Sequence, residues 1–454
     1  MSSAKAGRYT NLKDPYIRFI LILAAGFLLR IIFSLFLTYE PDFLTWKIWG
    51  SQITEVGFSK FYDNFWCDYM PGYLYVLRAL DGVKSTFPVF LTDILFKIPA
   101  NLADLGISVS IFYALRRITT VRNAMIASVV YLFNPASLSN STFWGQVDSF
   151  HALPILLSII TALGRRYVLS GIFAALAFMI KPPSIVVFPL IGLIAIEPLF
   201  REYRKPTIKT FIPTLKVVLA IVITSVILTL PFIWDKLDAF GYIFTGPLEL
   251  IRARFSAAYD QYTYASLNAF NFWGSFAMWR NDGTLFLGIS YKSWGTVIFA
   301  SIYTLIGALL VRVVYKSRGE RGKDFSYFIY QAITLIIFSL FLFITRAHER
   351  HLLPAIVFFT LLTYRHWILW YLYAIVSLVY VLNMVYSYIQ LTTSYKGIPE
   401  SYEDLFIPGM FLLYLFVFLF LFYDFIKNTI RYEGASKEHL ESTKENLAHI
   451  HSGN

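Results

Sequence analysis

Six short stretches of this 454-residue chain bring together side chains that can do chemistry. Asp42 stands in Glu40-Pro41-Asp42, and Asp68 opens Asp68-Tyr69-Met70-Pro71-Gly72. Gln146 and Asp148 sit in Trp144-Gly145-Gln146-Val147-Asp148, and Lys181 precedes Pro182-Pro183. Asn268, Asn271 and Trp273 belong to Asn268-Ala269-Phe270-Asn271-Phe272-Trp273, and the last stretch is Arg346-Ala347-His348-Glu349-Arg350-His351. A carboxylate can take a proton from an attacking hydroxyl. Arg holds a phosphate through two parallel hydrogen bonds and Lys as a point charge. Aromatic faces and side-chain amides suit a sugar ring. Base, phosphate clamp and ring groove together describe sugar transfer from a phosphate leaving group.

Each stretch also has a plain structural reading. Asp42 can cap a helix, and Asp68 can serve a turn. Gln146 and Asp148 can complement a helix N-terminus, while Lys181 can snorkel to a membrane surface. Asn268, Asn271 and Trp273 fit an interfacial belt. The Arg/His run is hardest to assign to scaffold alone, because its cations oppose the charge bias of the chain.

The elements that must position these residues are membrane spans. The chain is 57% hydrophobic and 15% charged, with mean hydropathy +0.59. A soluble protein carries about 25% charge, and disorder needs low hydrophobicity. About twelve apolar stretches approach the 20 residues that span a bilayer: 16–38, 91–115, 122–138, 147–164, 167–181, 183–200, 211–233, 288–313, 325–345, 351–365, 367–390 and 405–427. The expected fold is an all-α polytopic membrane helix bundle. Residues 1–427 form one transmembrane domain, and 428–454 form a charged cytoplasmic tail.

Lys and Arg favour cytoplasmic loops. With the N-terminus inside, most of the 39 Lys and Arg residues fall on the inner side. The net charge of +11 is therefore a topology signal, and no nucleic-acid partner is expected. The lone Cys67 permits no intramolecular disulfide. Two outer loops, 39–90 and 234–287, are long enough to be functional. Phe43, Trp46, Trp49 and Ile53 have the spacing of an amphipathic helix in the membrane interface. All six chemical stretches then converge on the outer face, although orientation was set by Lys and Arg elsewhere.

These stretches, in this order, resemble the GT-C superfamily of polytopic glycosyltransferases that use polyprenyl- or dolichyl-phosphate sugars. The resemblance is strongest to prokaryotic mannosyltransferases related to the second GPI mannosyltransferase. It runs from residue 42 to 350, with Met70 where the family often has proline and Pro183 where it often has glutamine. The resemblance implies a GT-C-like bundle with amphipathic helices in the first outer loop, and Asp42 as catalytic base. Arg346, His348, Arg350 and Lys181 would hold the donor phosphate. Asp68, Tyr69, Gln146, Asp148, Asn268, Asn271, Trp273 and Glu349 would contact substrate.

The expected reaction is inverting transfer of one hexose, with mannose favoured, to a lipid, glycan or protein acceptor. No cofactor and no obligatory metal are expected. The site would face the extracytoplasmic or lumenal side, with a prokaryotic plasma membrane favoured over an endoplasmic reticulum. Two other readings stand beside this one: a lipid or solute transporter, and a ligase-like relative that moves a whole lipid-linked glycan. A transporter would place its site near the midplane and often carry an internal repeat; no repeat is visible here.

Overall fold

The computed structural model describes residues 14–88, 91–201, 207–237 and 241–433. The chain opens with α1 (Pro15–Phe33), started by Asp14, whose carboxylate accepts the Tyr16 amide at 2.8 Å. The first outer loop folds as α2 (Glu40–Val56), α3 (Phe58–Asn64) and α4 (Pro71–Lys84). The chain returns through α5 (Thr92–Leu115) and rises as α6 (Val121–Leu132), α7 (Pro135–Ser137) and a π-helical turn, Leu138–Trp144. Then come α8 (Asp148–Leu163), α9 (Tyr167–Ile180), a 3-10 segment (Pro182–Val187), α10 (Phe188–Arg201) and α11 (Ile208–Ile233).

The second outer region holds α12 (Tyr242–Asp260), β1 (Ser266–Leu267), α13 (Gly274–Ala277), β2 (Leu285–Phe286) and β3 (Ile289–Ser290). The chain continues through α14 (Tyr291–Ser317), α15 (Lys323–Phe343), β4 (Ala347–His348), a 3-10 turn (Glu349–Leu352), α16 (Leu353–Thr360), α17 (Ile368–Thr392) and α18 (Glu400–Arg431). Strand β1 pairs in parallel with β4, joining Ser266 to Ala347 and Leu267 to His348. That short ladder ties the second outer region to the Arg/His run. Of the tail expected at 428–454, residues 428–431 continue α18, and those from 434 onward lie outside the described residues, as do the basic stretches 1–13 and 202–206.

The protein is a polytopic all-α membrane bundle. Among the described residues, eight helices are long and apolar enough to cross a membrane, fewer than the twelve expected. Helices α8 and α9 are shorter. The expected span at 122–138 breaks at Asn134-Pro135, where the Asn134 side chain caps α7 by accepting the Ala136 amide at 2.7 Å. The expected span at 351–365 is a 3-10 turn followed by the eight-residue α16. Both lie against α15, which is buried on nearly all faces. Protein neighbours supply the apolar surroundings there.

The first loop also differs from expectation. Phe43, Trp46, Trp49 and Ile53 do line one face of α2, but that face is buried against Tyr73, Leu74 and Leu77 of α4. Its apolar stripe is spent on a small protein core above the bundle, so α2 is fixed in place.

One buried polar knot crosses the bundle. Arg30 of α1 donates to Asp104 of α5 at 2.9 Å, to Ser137 at 3.0 Å and to the Leu132 carbonyl at 2.6 Å. Asp104 also accepts from Tyr131 and Ser149, each at 2.7 Å. Both ionic side chains are fully buried, so each depends on the other for charge compensation. Arg30→Met should cost about 3–5 kcal/mol by stranding Asp104. The double change Arg30→Met/Asp104→Leu should recover much of that, read as melting temperature in detergent.

Candidate functional site

Asp42 lies in the first turn of α2 and is half-buried. The Trp144 indole donates to its Oδ2 at 3.2 Å, and the Gln146 side-chain amide donates to the same oxygen. The π-helical turn delivers both donors. It ends at Gly145, which adopts φ 87°. The Gly145 and Gln146 amides both donate to the Asn140 carbonyl, at 3.0 and 2.8 Å. A Cβ at Gly145 would stand 2.4 Å from the Phe43 ring, so left-handed backbone and close packing both call for glycine.

Lys97 of α5 fixes this arrangement from below. Its ammonium donates to the carbonyls of Ser34 at 3.0 Å, Leu37, and Phe143 at 3.3 Å. Three backbone segments are thereby joined beneath Asp42: the end of α1, the approach to α2 and the π-helical turn.

The cationic half is built on Asp148, whose side chain is 2% exposed at the head of α8. Lys181 donates to Asp148 Oδ1 at 2.5 Å. Lys181 is extended between α9 and the 3-10 segment, because Pro182-Pro183 cannot continue the helix. Arg350, in the 3-10 turn after β4, brings Nε to 3.9 Å from Asp148 Oδ2 and Nη1 to 2.7 Å from Glu349 Oε1. Asn140 donates to the Tyr380 hydroxyl at 3.0 Å and to Asp148 at 3.4 Å. Arg350 Nε and His151 Nε2 are buried without a hydrogen-bond partner. Among the described residues no group of three or more His, Cys, Asp or Glu side chains is arranged to hold a metal ion.

The electrostatics tie the two halves together. Burial pushes the Asp68 carboxyl up to about 6, against the pull of Arg350 and Lys181. Burial would weaken the Arg350 charge, but Glu349, Asp42 and Asp148 outweigh it and hold the guanidinium protonated. Burial raises Glu349, opposed by Arg350. Burial and then Arg350 push His348 well down, and burial, Lys181 and Arg350 push His351 down to about 3, so both are neutral imidazoles at neutral pH. The Asp42 charge acts on Asp68, Lys181, Glu349 and Arg350 alike. Tyr39, Tyr69 and Tyr262 feel the same charges. These groups form one cluster of interacting charges.

Asp42, Asp68, Tyr69, Gln146, Asp148, Lys181, His348, Glu349 and Arg350 thus gather in that cluster. Four other candidates do not have their polar groups available to it. Arg346 forks onto Asp282 at 2.6 and 3.3 Å and stacks over the Tyr259 ring at 4.1 Å. Asn268, at φ 59°, accepts from Trp279 at 2.9 Å and donates to Tyr395 at 3.3 Å. Asn271 caps α13 through the Gly274 amide at 2.8 Å and donates to the Phe341 carbonyl at 3.2 Å. Trp273 is wholly buried, with its indole on the Phe343 carbonyl at 2.6 Å. These four brace the outer region against α15 and its exit. Conversely, Lys97, Asn140, His151, Tyr262 and Tyr380 belong to the site or its support and were not singled out from sequence. Lys97 carried one signal, a charge within an apolar span.

Residues 60–243 are similar to the family described as GPI transamidase subunit PIG-U. The match covers less than half of the chain. It contains Asp68, Trp144 to Asp148 and Lys181, and stops short of Asp42 and Arg350 on either side. None of the curated proteins matches significantly.

Gly145→Ala should cost about 1–3 kcal/mol through strain and the Phe43 clash. It should also displace Trp144 and Gln146 from Asp42. A melting curve, with indole fluorescence of the Trp144 environment, measures both.

Proposed function

We propose that this protein is an inverting membrane glycosyltransferase that moves a hexose, mannose by preference, from a polyprenyl-phosphate sugar to an acceptor at the extracytoplasmic or lumenal face. One observation carries the reading: a carboxylate oriented by two donors lies within electrostatic reach of Lys181 and Arg350. Asp42 takes the proton of the acceptor hydroxyl. That oxygen bonds to the anomeric carbon as the bond to the phosphate oxygen breaks, and the phosphate leaves with the electron pair. Preorganised cations stabilise such a developing charge most in a site shielded from water.

Lys181 and Arg350 begin paired with Asp148 and Glu349, so the donor phosphate competes for them. Arg350 Nε makes no hydrogen bond and faces Asp148 at 3.9 Å, so it has a donor to give the phosphate. The tyrosines and Trp144 supply faces for the sugar. Side chains suffice for one phosphodiester charge, and transfer is expected to persist in chelator.

A second reading has its own support. The similarity over 60–243 to a GPI transamidase subunit family favours a subunit of a transamidase. The two separate on one experiment. Purified protein is given labelled polyprenyl-phosphate mannose or glucose with a crude acceptor pool. Transfer by wild type, lowered roughly 10²–10⁴-fold by Asp42→Asn with donor binding kept, supports the enzyme. Donor binding without transfer of either sugar supports the subunit, and undiminished transfer by Asp42→Asn removes Asp42 as base.

The pH profile adds a check. A carboxyl whose folded pKa is raised is neutral below that value and charged above it, so Asp68 gains its charge near pH 6. The donor phosphodiester keeps one charge throughout. Donor affinity should weaken several-fold as pH rises through 6, and Asp68→Asn should flatten that step in a binding titration.

A further inference from the structure

Strands β2 and β3 pair antiparallel, Leu285 with Ser290 and Phe286 with Ile289, so Leu287 and Gly288 alone form the turn. Leu287 has φ 52° and Gly288 φ 80°. Both central residues are left-handed, as a type I′ turn requires, and such turns favour Asn-Gly. A bulky leucine in that region is an outlier. It is also 80% exposed. Backbone strain and an exposed apolar side chain thus fall on one residue, and in water asparagine would relieve both.

The rest of the hairpin has the same character. No charged residue occurs from Gly283 to Tyr291. Side chains alternate between the faces of a strand, so Leu285 shares one face with Ser290, and Phe286 shares the other with Ile289. Leu285 is 68% exposed. The Phe286 ring meets those of Phe276 and Tyr291, at 5.8 and 6.3 Å, yet Phe286 and Ile289 are exposed as well. An antiparallel ribbon that faces water usually keeps one face polar; here both faces are apolar.

The position of the hairpin names what covers it. The Trp294 indole, in the first turn of α14, donates to the Phe286 carbonyl at 2.8 Å, and the Tyr291 amide donates to the Thr284 carbonyl at 3.1 Å. The hairpin is therefore held beside the first turn of a helix long and apolar enough to span the membrane. Few residues of α14 are buried in the protein. Val297 follows Trp294 by three residues, on the same helix face, and is 57% exposed. The hairpin borders the surface that α14 presents to lipid.

We propose that the β2–β3 hairpin inserts Leu285 and Leu287 into the lipid leaflet at this end of α14 and anchors the second outer region to the bilayer. Apolar side chains bind at the headgroup boundary through the area they bury there. In lipid, burial of the Leu287 side chain offsets the strain of its turn. Asp282 stands just before the hairpin and accepts from Arg346 Nε at 2.6 Å, so the anchor also ties the segment leading into β4 to the membrane surface.

The test uses the full chain in phosphatidylcholine nanodiscs, with Leu287→Cys carrying an environment-sensitive fluorophore. Wild type is the labelling control, because Cys67 is wholly buried. Lipids spin-labelled near the headgroup end of the acyl chain should quench the probe, and aqueous iodide should lose most of the quenching it shows after denaturation. Full iodide quenching without lipid quenching would overturn the proposal. So would protection from both quenchers, which would mean that protein covers the tip. Leu287→Asn gives a readout free of any label. It should lower the melting temperature in nanodiscs, whereas a rise, the outcome for a turn in water, would contradict the anchor.

Discussion

The buried contact of Asp148 with Lys181, with Arg350 close by, is the constraint around which the outer face is arranged. Charges removed from water must be compensated or their burial is prohibitive. The partners come from three places far apart in the chain: the head of α8, the break after α9, and the 3-10 turn after β4. The β1–β4 ladder then fixes the second outer region to the same turn, and Asn140 links Asp148 to α17 through Tyr380.

Asp42 is positioned by a different device. Its two donors come from a π-helical turn, an uncommon conformation often found at functional sites. Lys97 and Gly145 hold that turn against α1 and α2. The Asp42 side and the cation side meet in the turn that runs from Asn140 to Asp148. Movement of this one segment alters both halves.

Much of this was legible in the sequence, for physical reasons. Long apolar stretches specify membrane spans without reference to partners. The outer stretches were recognisable as polar groups costly to bury. What was hidden depends on distant contacts. Arg346 reads as a phosphate ligand until Asp282, far along the chain, is seen to hold it. Asn271 and Trp273 have the composition of a sugar groove and the geometry of a brace. The short segments at 122–138 and 351–365 have the hydropathy of spans, and only Asn134-Pro135 and the 3-10 turn reveal their breaks. The apolar stripe of α2 matched membrane and protein equally well, and α4 decided the matter.

The chain is a multi-pass membrane protein, similar over residues 60–243 to the GPI transamidase subunit PIG-U family. The central chemical proposal concerns the charge cluster of Asp42, Lys181 and Arg350. The most direct measurement is an experimental density map of wild type with an unreactive polyprenyl-phosphate hexose analogue. The account places the phosphate within about 3 Å of Arg350 and Lys181. The anomeric carbon should face Asp42 with room for one hydroxyl between them. A lipid phosphate bound away from both cations, or a sugar turned from Asp42, would contradict it.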